Sequence, residues 1–72
     1  MDGGLRIDGA APLRLVAEQL GMDIDAPHEA TIGGHIAEQL GRLPDPDEVV
    51  VVDGAHLRVL ATDDTRITAL QA

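Results

Sequence analysis

The stretch TIGGHIAEQLGRLPDPDEVVVVD, residues 31–53, decides the fold of this chain. Thr31 is a good helix N-cap, and the apolar residues that follow it recur every three or four positions, which predicts a short helix. Gly41 can take the left-handed conformation that ends a helix, and Pro44 prevents its continuation. Four consecutive valines at 49–52 then favour a strand. The stretch therefore predicts a helix followed by a strand.

The residues before this stretch predict a further strand and a further helix. Leu5-Arg6-Ile7 alternates apolar and polar residues before an Asp-Gly pair, which is typical of a short strand closed by a turn. Pro12 suits the first position of a helix. Apolar residues at 13, 16, 17 and 20 share one helix face, and Gly21 can cap the end. We expect this helix at Pro12–Leu20.

Two strands are predicted after the valines. Asp53-Gly54 is a two-residue hairpin signal, which places Val52 opposite Ala55 and Val50 opposite Leu57. The chain is therefore predicted to be α+β: a small two-layer domain with two short helices packed on an antiparallel sheet of about four strands.

A second turn is expected at residues 62–64. A three-residue loop places Ile67 opposite Val59 and Ala69 opposite Leu57, so that apolar side chains stay on the core face. On this register the other face carries Val49, Val51, His56, Arg58, Leu60, Arg66 and Leu70.

That other face is more apolar than contact with water requires, which indicates a covered surface. Its residues Val49, Val51, Arg58 and Leu60 are our candidates for contact with a partner. A plain β-rich surface is equally compatible with the pattern.

Composition limits the possible functions. Seventy-two residues make one marginal domain, because a core of this size rarely supplies more than about 3–5 kcal/mol of net stability. The chain has no Cys, Phe, Tyr or Trp, so it has no thiolate metal ligand and no aromatic platform for stacking bases. A net charge of -8, with Arg as every basic residue, argues against nucleic-acid binding.

The ends and the hydropathy give two further expectations. Residues 1–4 resemble a linker edge, and residues 5–72 form the domain. No apolar run approaches the roughly 20 residues that cross a bilayer, and no signal peptide opens the chain, so we expect no direct membrane insertion.

No residues predict a catalytic or metal site. His28, His35 and His56 are scattered, and neither acidic turn, at 45–48 or at 63–64, has the spacing of a calcium loop. No nucleophile stands beside a base. The pair Gly33-Gly34 opens a helix, where an anion could bind, but it lacks the other residues of a phosphate or dinucleotide loop. We name no catalytic, metal or cofactor-binding residue.

The order of these motifs resembles the CorC/HlyC-type transporter-associated domain. The resemblance rests on TIGG at 31–34, LGRLP at 40–44, the valine strand, DG at 53–54, LRVL at 57–60 and RI at 66–67, after RIDG at 6–9. It covers about Leu5 to Leu70, with Thr31, Gly34, Gly41 and Pro44 as structural motif residues. This chain departs from the family at Asp47, where a glycine is usual, and at Leu57, where an aromatic residue is usual.

The resemblance implies a fold like half of the FAD-binding domains of the PCMH type. It also implies a non-enzymatic regulatory module, C-terminal to a CBS pair in membrane proteins linked to magnesium and cobalt efflux and often named hemolysins. The implied place is the cytoplasmic face of the cell membrane. The implied partners are the CBS pair and transmembrane domains of the parent protein, and a homodimer is possible.

Two alternatives from other functional classes stay open. The first is a module that binds FAD or an adenine nucleotide, suggested by the fold analogy alone. The missing aromatic residues and the negative charge argue against it. The second is direct sensing of cations by the acidic turns. Without either, the chain needs no cofactor.

Overall fold

The fold is a four-stranded antiparallel sheet packed against two helices. A computed structural model describes residues 4–24 and 30–72. Its elements are β1 (Arg6–Asp8), α1 (Leu13–Leu20), α2 (Ile32–Leu40), β2 (Val49–Val52), β3 (Ala55–Thr62) and β4 (Ile67–Gln71). The strand order is β1-β4-β3-β2. The α+β prediction is confirmed. Most of the predicted linker edge at 1–4 and the middle of the loop between the helices lie outside the described residues.

Both helices end on a glycine, as predicted. Gly21 and Gly41 have φ angles of 71° and 74°, in the left-handed region, and each ends its helix. The start of α1 differs from the prediction by one residue. Pro12 is extended, with φ -59° and ψ 130°, so it flanks the helix and Leu13 begins it. Thr31 caps α2 as expected, because its Oγ1 accepts a hydrogen bond of 3.0 Å from Gly34 N–H.

The β2–β3 hairpin has the predicted register. Val52 pairs with Ala55 and Val50 pairs with Leu57. Within β2 the buried and exposed residues alternate, since Val50 and Val52 are buried while the other two valines are exposed. The two-residue turn therefore directs every second side chain of the hairpin into the core.

The predicted register between β3 and β4 is wrong. Val59 pairs with Leu70 and Thr62 pairs with Ile67, while Ala61 pairs with Ala69 between them. Strand β3 therefore has one extra residue between Val59 and Ala61, and β4 has one extra residue between Ile67 and Ala69. Such bulges reset the alternation of side chains. Leu70 is consequently fully buried in the core and does not lie on the opposite face, where it was predicted.

The turn between these strands is also longer than predicted. It spans residues 63–66 rather than three residues. Asp63 Oδ1 closes it by accepting hydrogen bonds from the backbone N–H groups of Thr65, at 3.1 Å, and Arg66, at 3.3 Å. Arg66 therefore lies in an exposed turn and not on the strand face predicted for it.

The core contains aliphatic side chains from every helix and strand. Ile7, Leu70 and Val59 stand side by side across β1, β4 and β3, and all three are buried. The remaining members of the cluster are Leu13, Val16, Ala17, Met22, Ile32, Ile36, Val50, Val52, Leu57 and Ile67. The sheet therefore has one face against the helices and a second face, here called the outer face, on the opposite side.

The first and last strands of the chain pair with each other, and β1 forms one edge of the sheet. Strand β1 begins one residue later than predicted, and Arg6 pairs with Gln71. The N–H of Ala72 donates to the carbonyl oxygen of Leu5 at 2.9 Å. The two ends of the described fold therefore lie next to each other.

Candidate interaction surface

The outer face carries exposed valines in β2 beside charged or polar residues in β3. Val49 pairs with Arg58 and Val51 pairs with His56. The two valines are 51% and 53% exposed, whereas the valines between them are buried. Because side chains alternate along a strand, all four residues lie on the same face. The structure therefore brings together three of the four residues predicted to contact a partner.

The fourth predicted residue, Leu60, is less available. It follows Val59 at the start of the irregular pairing between β3 and β4, and it is half-buried. Leu60 therefore contributes less surface than Val49 or Val51.

The outer face also carries two arginines on a strongly acidic domain. Arg6, Gln71, Arg58 and Val49 occupy consecutive paired positions across the four strands. Within residues 4–24 and 30–72, neither of these two arginines forms an ion pair. Sequence reasoning missed Arg6, because the side of the sheet it faces depends on the pairing of β1 with β4, and no local motif encodes that pairing.

Residues of the described ranges, 4–24 and 30–72, line clefts near the sheet. One, of about 380 Å³, lies on the outer face and is lined by Val49, His56, Arg58, Gln71 and Ala72. The other, of about 180 Å³, lies where α2 begins and is lined by Asp8, Gly9, Ala10, Thr31, Gly34, Arg66, Ile67 and Thr68. Small-molecule sites usually measure about 300–1,000 Å³, so the outer cleft is at the small end of that range and the second is below it.

The corner before β2 is held by a bidentate ion pair. Arg42 Nη1 and Nη2 donate to the two carboxylate oxygens of Glu48 at 3.1 and 2.6 Å, and Asp45 N–H donates to Glu48 Oε1 at 3.0 Å. The hydrogen bond from Arg42, and after it the bond from Asp45, lowers the pKa of the Glu48 carboxyl. Pro44, which lies between Arg42 and Asp45 in the sequence, is buried. The corner therefore fixes where the valine strand begins.

A positive φ angle marks the same corner. Asp45 C=O accepts a hydrogen bond of 3.1 Å from Glu48 N–H, closing a turn in which Asp47 has a φ of 72°. Glycine adopts such an angle without strain, and an L-residue rarely does. The departure from the family's glycine at Asp47 therefore falls on a residue in the left-handed region.

The start of α2 has no free amides to offer an anion. Ile32 N–H donates to Ala11 O at 3.0 Å, and Gly33 N–H donates to Gly9 O at 2.9 Å. The next N–H, of Gly34, donates to the Thr31 hydroxyl. Since the first three helical donors are used within the fold, the glycine pair leaves no backbone donor there for an anion.

The close packing is at Gly33, not at Gly34. A Cβ at Gly33 would lie 2.8 Å from Gly9 O and 3.1 Å from Ile67 O. Gly34 is exposed, and a Cβ there would meet only the capping oxygen of Thr31, at 2.9 Å. Gly34 thus contributes to the cap, and Gly33 sets the distance between α2 and the sheet.

Metal-ligating residues do not gather in the described part of the chain. Among residues 4–24 and 30–72, no three His, Asp or Glu side chains lie together in an arrangement that could hold a metal ion. His28 lies outside these ranges. Asp63 accepts backbone N–H bonds, first from Thr65, and these lower the pKa of its carboxyl. None of the helices in these ranges has the length and hydropathy to span a membrane.

The elements and their order define a small α+β domain, with two helices on a four-stranded antiparallel sheet. The chain belongs to the CorC_HlyC family, the transporter-associated domain, whose family model matches residues 1–72. The resemblance inferred from its motifs is therefore confirmed.

Solved structures and a longer relative agree with this assignment. A transporter-associated domain from Nitrosomonas europaea superposes with a TM-score of 0.85 at 27% identity, covering 97% of this chain and 84% of the other. A proposed Mg²⁺ and Co²⁺ transporter (CorC) associated region from Neisseria meningitidis MC58 gives 0.84 at 27% identity, covering 99% and 88%. A protein named UPF0053 protein from Haemophilus influenzae is 32% identical over 66 residues, which are 92% of this chain. The match spans only 16% of that relative.

Proposed function

We propose that this chain is a non-enzymatic accessory module of a membrane cation transporter of the magnesium and cobalt type, or of a hemolysin-like protein. In this proposal it lies at the cytoplasmic face of the membrane, attached to a CBS pair and a transmembrane domain. It modulates ion transport by docking through its outer face on the CBS pair or on a second copy of itself. The family description and the name of the Neisseria relative support the link to transport.

One observation carries the docking role: two half-exposed valines stand beside an arginine that has no ion-pair partner within the described residues. Val49 and Val51 expose their side chains on the same face as Arg58. An apolar centre next to an arginine is typical of protein interfaces, where arginine is enriched and other charges are depleted. The much greater length of the Haemophilus relative supports a partner within the same polypeptide.

The substitution Val51→Asp tests the outer face. Because Val51 is 53% exposed, the change adds a charge to the surface and leaves the core intact. We expect weaker docking on the CBS pair of the parent protein, measured by calorimetry, or weaker self-association, measured by sedimentation velocity. Altered ion efflux by the full-length protein should follow.

A matched control comes from α1. Leu15 is 44% exposed on the helix layer, so Leu15→Asp makes the same chemical change on another surface. We expect this variant to dock and to self-associate as the unmodified chain does. If Val51→Asp also behaves like the unmodified chain, the outer face is ordinary surface and the docking role fails.

A further inference from the structure

The free edge of β2 presents backbone groups as well as side chains. Strand β2 is last in the order β1-β4-β3-β2, so β3 covers only one of its sides. The N–H of Val59 in β3 donates to the carbonyl oxygen of Glu48 at 2.9 Å. Hydrogen-bonded and non-hydrogen-bonded residues alternate along an antiparallel pair. Val49 and Val51 therefore point their N–H and C=O groups away from β3.

These outward groups have no hydrogen-bond partner within residues 4–24 and 30–72. The side chains of Val49 and Val51 are also half-exposed. The four-residue strand is about 13 Å long and contains no proline, lysine or inward charge, which are three of the usual means of preventing strand addition. Among residues 4–24 and 30–72, nothing therefore blocks this edge from pairing with another strand.

Acidic residues stand at both ends of this edge. Asp45 and Asp47 precede the strand and are exposed. Asp53 follows it, and its Oδ2 accepts a hydrogen bond of 2.6 Å from Asp23 N–H, which brings a second aspartate to that end. None of these four carboxylates forms an ion pair within the described part of the chain. An apolar strip therefore lies between two negative ends.

This charge pattern selects the chemistry of the added strand. Antiparallel pairing of two β2 strands would bring the Asp53 end of one copy to the Asp47 end of the other. Parallel pairing would bring like ends together. Both arrangements oppose carboxylates, and opposed like charges are unfavourable in a sheet and across an interface. A segment with basic ends would instead meet a carboxylate pair at each end.

We propose that β2 accepts, as a fifth strand, an extended segment of another domain or protein with a β-branched centre and a basic residue at each end. Main-chain hydrogen bonds to Val49 and Val51 supply binding, and the aspartates select the ends. The proposal deepens the proposed function, on which it rests only for the existence of a protein partner. The outer face binds through side chains, whereas this edge binds through backbone groups.

The direct test follows single amides by NMR. The probe is an acetylated and amidated peptide, Arg-Thr-Val-Thr-Val-Arg, compared with the same peptide carrying glutamate at both ends. We expect the arginine peptide to slow hydrogen exchange at Val49 and Val51 by about tenfold or more, while Val50 and Val52 change little because they already bond β3. The glutamate peptide should bind roughly 3- to 30-fold more weakly, since two exposed ion pairs are lost.

Two substitutions at one position separate the edge from the outer face. Val51→Pro removes an outward N–H without touching the bonds to β3, and proline is tolerated on a free edge. Val51→Ala keeps that N–H and removes most of the side chain. We expect the proline variant to bind the arginine peptide about tenfold or more weakly and the alanine variant to bind it nearly as the unmodified chain does.

Several results would overturn the edge proposal. They are equal binding of the two peptides, equal binding of the proline and alanine variants, or amides of Val49 and Val51 already protected in the free protein. If the amides of Val49 and Val51 become more protected from exchange as protein concentration rises without peptide, the edge binds a second copy of the chain and the proposed partner is wrong. Failure of the outer face is distinguished from failure of the edge by different measurements. Docking on the CBS pair and self-association of Val51→Asp report on the outer face, whereas peptide binding by Val51→Pro and Val51→Ala reports on the edge.

Discussion

Asp47 offers the sharpest test of how the turn before the valine strand is built. Its φ of 72° lies where an L-residue costs about 1–2 kcal/mol and glycine costs almost nothing. Aspartate tolerates this region better than most residues, so its own strain lies near the lower figure. The glycine variant also loses about 0.5–1 kcal/mol of stability, because its unfolded chain is more flexible. Removing a carboxylate beside Asp45 adds a small gain.

We therefore expect Asp47→Gly to raise the free energy of unfolding by up to about 0.5 kcal/mol. For a domain of this size, 1 kcal/mol corresponds to roughly 4–8 °C in Tm. The chain has no aromatic residue, so thermal and urea unfolding should be followed by far-UV circular dichroism. Asp47→Asn is the matched control, since it removes the charge and keeps a side chain that tolerates positive φ.

A third variant should lose stability. Asp47→Ala has no polar side chain to support the turn, so it should be less stable than the unmodified chain by about 1 kcal/mol. If alanine is as stable as glycine, the gain arises from lost charge and not from the backbone angle. A glycine variant no more stable than the asparagine variant would refute the strain argument outright.

Four other substitutions examine the helix contact, the helix cap, the core and the corner. Gly33→Ala should cost about 1–3 kcal/mol, because its Cβ meets two backbone oxygens. Gly34→Ala should cost less, about 1 kcal/mol or under in urea titrations, because the better helix propensity of alanine offsets most of the loss when its Cβ displaces the capping oxygen of Thr31. Leu57→Ala should cost about 2–5 kcal/mol and leave much of the protein unfolded at 25 °C by circular dichroism, since Leu57 is fully buried in a marginal core. The folded pKa of Glu48 is lowered, so its pairing with Arg42 stabilises the fold above the unfolded pKa and is lost as pH falls through the folded one. Glu48→Gln should therefore lose less stability than the unmodified chain between pH 7 and pH 3. If the urea midpoint falls by the same amount in both proteins over that range, this expectation is wrong.

The parts of the fold that sequence predicted are those with local determinants. Gly21 and Gly41 end the helices because a left-handed residue is needed there, and a glycine after an apolar periodic stretch is a direct signal of it. Asp53-Gly54 fixed the β2–β3 register in the same way, since a two-residue turn leaves one pairing. The outer position of Val49 and Val51 followed from that register.

The parts that sequence missed depend on contacts distant in the chain. The β3–β4 register changes at two bulges, and alternation of apolar residues cannot reveal an inserted residue when both neighbours, such as Ala69 and Leu70, are buried. One local signal existed. An aspartate whose side chain accepts N–H bonds from the second and third following residues is a common turn motif, and Asp63 closes the longer turn in this way.

The adjacent ends of the sheet determine how the domain responds to a pulling force. Strands β1 and β4 run antiparallel, with Arg6 beside Gln71 and the bond from Ala72 to Leu5 outermost. Tension applied through both ends would load these hydrogen bonds one after another, as in opening a zipper, instead of shearing them all at once. The domain should therefore yield at low force and begin to yield at β1, in single-molecule stretching, long before the β2–β3 hairpin is loaded.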